Sequence, residues 1–298
     1  MPYSRNLAAG QICEVHVFDL TTRQDRLVYS NDKILFEAPN WTKTGDLILN
    51  GKGLLWRLAA VGSGEPEVIV ISGVPELNND HVLAPDHETV FLSANDTWHI
   101  YQAPITGGVA TQVTRDSPGT LHFLHGVSPD ATEIAYVHIS EDADDIFSSG
   151  RIHVQNISTG EDRVLVGGDG PEDGCEYSAD GKWIYFNSEN FSSVPGAAQI
   201  ARSKCDGSNF EQLTFDDAVN WFPHVSPDGA AWVYLSYQKG TTGHPADMTV
   251  ELKLVLDQQW QKAEVVVELF GGQGTINVNS WSADSTQFAY VSYPFVEK

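Results

Sequence analysis

The stretch Val225-Ser226-Pro227-Asp228-Gly229-Ala230-Ala231-Trp232-Val233-Tyr234-Leu235 runs from an apolar residue through a tight turn into an apolar, aromatic segment. Proline presets φ for a turn and Asp-Gly suits a sharp reversal, whereas Trp, Val and Tyr favour a pleated strand. The pattern returns as Trp41-Thr-Lys-Thr-Gly45, Leu83-Ala-Pro-Asp-His87, Val127-Ser-Pro-Asp-Ala131, Tyr177-Ser-Ala-Asp-Gly181 and Trp281-Ser-Ala-Asp-Ser285. The turn openers Thr42, Ala84, Ser128, Ser178, Ser226 and Ser282 stand 42, 44, 50, 48 and 56 residues apart. Six copies at this period indicate a repeat array.

Each repeat reads as four strands. Ile134–Val137, Trp183–Phe186 and Trp232–Leu235 follow their turns; Arg151–Gly160 supplies a third strand and a second turn, and Asp162–Val166 a fourth. Four-stranded units of this length are the blades of a propeller. The chain starts with Cys13–Leu20 and Asp25–Tyr29 and finishes with Asn279–Trp281 and Gln287–Val291, two halves of one blade. Sharing that blade closes the ring and removes its open edge. The expected fold is an all-β, six-bladed β-propeller, with residues 1–298 as one domain. No run keeps the 3.6-residue period of a helical solenoid.

Composition agrees with a packed core: of 298 residues, 41% are hydrophobic and 10% aromatic, too many for a disordered chain. The 40 Asp and Glu outweigh 17 Lys and Arg, a formal charge of −23. That balance argues against nucleic acid and against anionic membranes, both of which are held largely by Lys and Arg. Cys13, Cys175 and Cys205 are too scattered for a disulfide framework or a zinc knuckle. The N-terminal residues lack the apolar core of a signal peptide, so the expected location is cytoplasmic.

Propeller geometry turns the repeat into a map. The residues just before each turn form the innermost strand, and their upstream ends lie at one mouth of the central channel. Three long connections, His138 to Gly150, Ser188 to Ala198 and Tyr237 to Thr249, reach that face. Insertions on one face of an array often mark its binding face. The residues two and three positions before the turns include Asn40, His81, His125, Cys175, Glu176, His224 and Asn279; Asp80, His122, Glu172, Asp173, Asn220 and Gln273 lie close by. A mouth carrying imidazole, carboxylate and amide groups suits a polar ligand. His81, His125 and His224 form a possible tripod for manganese, iron or zinc, with Glu176 as a ligand or a base beside the metal. His224 stands one position nearer its turn than the other two, so strand alternation turns it away unless Pro223 marks a bulge.

The same residues also fit a purely structural reading. Each histidine alone suits a hydrogen-bonded rim position, and Cys175 a buried thiol. Trp41, Tyr177 and Trp281 suit packing between blades, whereas Trp221 beside the rim can stack on a sugar. The acidic run 141–145 suits a solvated loop or a weak site for a hard cation. There is no Gly-x-Ser-x-Gly elbow, phosphate-binding loop, dinucleotide fingerprint or His-Glu-x-x-His.

The recurring apolar-Ser-Pro-Asp-Gly-x-x-apolar-apolar-aromatic motif resembles the TolB-like propeller family, over nearly the whole chain. More distantly the chain resembles oligogalacturonate lyase propellers. The resemblance implies a propeller serving as a binding platform, with a polar small molecule, a carbohydrate or a protein segment at the loop-rich mouth. The alternative it implies is a metal-assisted carbohydrate lyase or hydrolase using the His/Glu cluster. A scaffold that recruits basic partners along its outer blade edges is a third reading, from charge alone.

Overall fold

The computed structural model describes residues 5–62, 64–115, 118–141, 146–166, 168 and 170–296. The repeat turn is built on a Ser-Asp pair. Ser226 Oγ donates to Asp228 Oδ1 (2.6 Å) and accepts from the Ala231 amide (3.0 Å). The Gly229 amide donates to the Ser226 carbonyl at 2.8 Å. Ser128 with Asp130, Ser178 with Asp180 and Ser282 with Asp284 repeat the set. Three residues past every opener the chain turns left-handed, at Gly45, His87, Ala131, Gly181, Gly229 and Ser285 (φ 55–90°). Glycine reaches that region without steric cost, which accounts for its place in three of these six turns.

The turns lead into six sheets arranged as blades. The first is Glu37–Trp41, Asp46–Gly51, Leu54–Ala59 and Glu67–Ile69; the second is Leu77–Leu83, Thr89–Ala94, Ile100–Pro104 and Thr111–Gln112. Thr120–Val127, Glu133–Ser140, Arg151–Asn156 and Asp162–Val164 make the third. Glu172–Tyr177, Trp183–Ser188, Gln199–Lys204 and Glu211–Gln212 make the fourth. The fifth ends in the longest hairpin, with Val219–Val225, Ala231–Tyr237, Ala246–Leu256 and Glu264–Gly272. Every blade pairing is antiparallel.

The closing blade joins both termini, as the repeat pattern requires. Cys13–Asp19 pairs with Gln287–Ser292 on one side and Gln24–Asn31 on the other, with Val17 opposite Ala289 and Val15 opposite Val291. Trp281 bridges Phe288 in the innermost place. Val15, Val17, Ala289 and Val291 pack with Leu47 and Leu49 of the first blade in one buried cluster. Each of these Val and Leu side chains contributes roughly 1.5–3 kcal/mol by leaving water, so the closure is held by packing as well as by its ladder. A short parallel pairing of Ile71-Ser72 with Gly108-Val109 ties the outer edges of blades one and two. Among the described residues no helix is long and apolar enough to cross a membrane.

Candidate functional site

The five complete inner strands all slip register shortly before their turns, between Glu37 and Asn40, Leu77 and His81, Leu124 and Gly126, Asp173 and Glu176, and Trp221 and His224. Three of these bulges carry a left-handed residue four positions before the opener: Ala38, Gly174 and Phe222 (φ 52°, 63° and 54°). A bulge bends its strand and re-aims the side chains around it. The expected alternation of inner-strand residues therefore fails, and with it the simple map of which residues face the channel.

At the loop-rich mouth lies a cavity of about 670 Å³. Its walls bring together Asp80, His125, Asp173 and Gln273, all anticipated from the repeat map, with Arg5, Glu37, Asn79, Phe222, His244 and Asn277. His125 Nε2 lies 3.1 Å from Asp173 Oδ1, and Nδ1 lies 3.2 Å from the Asn277 carbonyl oxygen. Both partners are acceptors, so both ring nitrogens donate and the ring is an imidazolium. Burial opposes that charge, but Asp80 and Asp173 outweigh it and raise the His125 pKa to about 9. For Asp173 burial acts upward, yet the His125 hydrogen bond holds its carboxyl below the usual range. Asp80 is pushed up to about 7 by burial, reinforced by Asp173 and Glu37 and only partly offset by His125.

Two elements distant in sequence complete the cavity. Arg5 donates to Glu37 Oε1 (3.0 Å) and to the Gln273 carbonyl, and its guanidinium lies 5.0 Å over the Tyr293 ring. His244, on the connection to the third strand of blade five, packs on Trp221 (4.5 Å between centroids) and edge-on against Phe222 (5.1 Å). Its Nδ1 is 2.6 Å from Gln273 Oε1, and burial lowers its pKa. The bulge presents Phe222 to the cavity, where it stacks on His125 (5.7 Å). Both rings are buried, but Phe222 lines this cavity and Trp221 does not, so the aromatic wall expected at Trp221 is supplied by Phe222 instead.

The other anticipated residues are placed elsewhere. Asn40 and Glu176 line a smaller cavity of about 350 Å³ at the opposite mouth, among the repeat turns; His125 borders both. Glu176 accepts from His224 Nδ1 (2.6 Å), the Val225 amide (2.8 Å) and Asn279 Nδ2 (2.6 Å). His224 Nε2 meets the Ile276 carbonyl, which leaves that ring no free nitrogen. His81 is buried, with Nε2 3.2 Å from the Ile48 carbonyl oxygen, and burial lowers its pKa to about 4. Glu172 takes a bond from Asn190 (3.0 Å) beneath the surface, and Asn220 is locked by Ser236 and Asp216. Cys175 is buried and unpaired with another cysteine.

The donor set does not fit the expected metal tripod. His224 has both nitrogens committed, and Glu176 already accepts three bonds. Among the described residues no group of three or more His, Cys, Asp or Glu is arranged to hold a metal ion. Of the acidic run 141–145, only Glu141 lies among the described residues, at the rim of the larger cavity.

Three of the site residues not anticipated in the sequence share one signal. Five positions before the openers stand Glu37, Asn79, Phe123, Asp173, Trp221 and Asn277, of which four are polar. A window set two residues further upstream would have found Glu37, Asn79 and Asn277. Arg5 and His244 had no such signal, because only tertiary structure brings the N-terminal segment and that loop to the mouth.

No model of a known protein family matches the chain. It is 39% identical over 287 residues to the uncharacterized Agrobacterium fabrum protein Atu1656, covering 95% of this chain and 93% of that one. A solved structure from Agrobacterium tumefaciens, provisionally assigned as TolB, is 36% identical with a TM-score of 0.86 over 96% of this chain and 99% of its own. TolB from Acinetobacter baumannii shares the fold at 19% identity and TM-score 0.59, over 86% of this chain and 63% of that one. An oligogalacturonate lyase in complex with manganese shares it more distantly, at 14% identity and TM-score 0.56, over 99% and 83%. The repeat turns, the closing blade and these likenesses agree: the chain belongs to the TolB-like β-propeller family.

Proposed function

We propose that this protein is a binding propeller whose loop-rich channel mouth holds a small polyhydroxylated molecule, a carbohydrate in the first instance. The observation that carries this reading is one cavity in which Asp80, His125 and Asp173 converge with amide side chains and the Phe222 ring. Its volume falls within the roughly 300–1,000 Å³ of small-molecule sites. Carboxylates and amides accept and donate to hydroxyl groups, and an aromatic ring covers the apolar face of a sugar. Most of these groups stand on inner strands of the ring, a rigid support for recognition.

The lyase alternative lacks comparable support. Its candidate base, Glu176, lies outside this cavity and is engaged by three donors.

The test is a thermal-shift and calorimetric screen of neutral sugars, uronates, amino sugars and linear polyols. Binding is expected for at least one class and should weaken at least tenfold in Asp173→Asn and in Phe222→Ala. A ligand whose affinity neither substitution alters would overturn the assignment of the site.

A further inference from the structure

The charge inventory of the mouth narrows the ligand class, and this step rests on the carbohydrate-pocket reading above. Four carboxylates border the cavity, Glu37, Asp80, Glu141 and Asp173, and the described cations among the lining residues are Arg5 and the His125 imidazolium. Arg5 is spent on Glu37 at 3.0 Å and also approaches Asp247 at 3.8 Å. His125 pairs with Asp173 at 3.1 Å. His244 Nε2 lies 3.7 Å from Asp173 Oδ2, but burial lowers its pKa and so disfavours a positive charge there. Asp80 is left 4% exposed, with the amide of Asn78 on Oδ2 (3.2 Å) as a neutral side-chain partner.

A buried carboxylate without its own cation is costly, and a ligand that brings the cation offsets that cost. We infer that the ligand is a polyol or sugar bearing a protonated amine, with the ammonium seated between Asp80 and Asp173 against the aromatic wall. An ammonium has three N–H donors, which the two carboxylates and the neighbouring Asn side-chain oxygens can accept. Phe222 and Trp98 both line the cavity, and aromatic rings there add cation–π attraction wherever the ammonium meets a ring face. A carboxylated sugar would instead place a like charge beside Asp80.

Three probes with one carbon skeleton separate these possibilities: glucamine, sorbitol and gluconate, titrated calorimetrically at pH 8. Glucamine is expected to bind at least tenfold more tightly than sorbitol, and gluconate more weakly than either. Asp80→Asn should bring glucamine and sorbitol to within about threefold of each other. The wild-type protein gives the same answer without a variant. Lowering the pH to 5.5 protonates Asp80 and should erode the glucamine preference. Of the other groups facing it, Asp173 stays ionised and paired, Glu37 stays with Arg5, His125 stays charged, His244 faces Asp173 at 3.7 Å with its pKa lowered by burial, and Glu141 is at the rim. Sorbitol binding as tightly as glucamine, or gluconate binding best, would overturn the amine while leaving the polyol pocket intact. Retention of the preference both in Asp80→Asn and at pH 5.5 would overturn the seat at Asp80. Binding by none of the three up to 20 mM would overturn the aminated polyol, whereas the pocket reading itself fails only if the wider sugar screen is silent as well.

Discussion

His125 Nε2 and Asp173 Oδ1 meet at 3.1 Å across two blades, at the point where the two channel cavities adjoin. The pair exists because both inner strands bulge, and it accounts for the electrostatics of the mouth: one imidazolium serves two carboxylates.

That arrangement has a stability signature. The His125 pKa is raised from 6.5 to about 9 in the folded chain. Its contribution is therefore fully present below pH 6.5 and is lost as pH rises towards 9. Asp80, raised from 3.8 to about 7, acts in the same sense at lower pH, because the native state holds its proton longer than the unfolded chain does. With Asp80→Asn as the common background, so that Asp80 does not titrate in the same window, unfolding midpoints in urea are expected to fall more steeply between pH 6.5 and 9 with His125 present than with His125→Gln. Equal slopes would show that His125 is not charged in the native protein.

Glu176 separates a structural carboxylate from a catalytic one. It ties blade four to His224 and Val225 of blade five and to Asn279 of the closing blade. Removing one partner of a buried charged network costs about 3–5 kcal/mol. Glu176→Ala should lose stability on that scale in urea titrations, and Glu176→Gln less. Ligand affinity at the other mouth, measured where each variant is folded, should change by less than threefold.

The bulges supply a backbone test. Ala38 and Gly174 occupy equivalent repeat positions, both left-handed, at φ 52° and 63°. Ala38→Gly relieves strain and should stabilise the protein by about 0.5–1 kcal/mol. Gly174→Ala should destabilise it, because a Cβ there would stand 2.8 Å from Asn187 Oδ1 and 2.9 Å from the Phe222 ring. Denaturant midpoints of the two variants should therefore shift in opposite directions.

Closure of the ring is open to a similar test. Ala289 lies opposite Val17, and its amide donates to the Ser280 carbonyl at 3.1 Å. Ala289→Pro removes that donor from a strand paired on both sides, a loss of at least about 3 kcal/mol. Its urea transition should move to lower concentration or lose cooperativity. An unchanged midpoint would mean that closure contributes little.

The fold was legible because its signal is local. Ser226 and Asp228 form their turn within five residues, and the same short-range hydrogen bonds recur at Ser128, Ser178 and Ser282. The site was legible only in part, since its geometry depends on bulges that strand alternation does not reveal. Asp80, His125, Asp173 and Gln273 do line the mouth cavity. His224 turned out to be bonded to Glu176 and Ile276, and Phe222 rather than Trp221 became the aromatic wall. The roles of Arg5 and His244 arise from contacts far apart in sequence, with separations of 32 residues to Glu37 and 29 to Gln273.

The most direct measurement is the response of histidine ring resonances to the best-binding sugar or polyol. His125 and His244 should shift on titration, whereas His153, paired with Asp162 on the outer strands of blade three at 2.6 Å, should stay still. Movement confined to histidines outside the mouth, with His125 and His244 unchanged at saturation, would contradict the account.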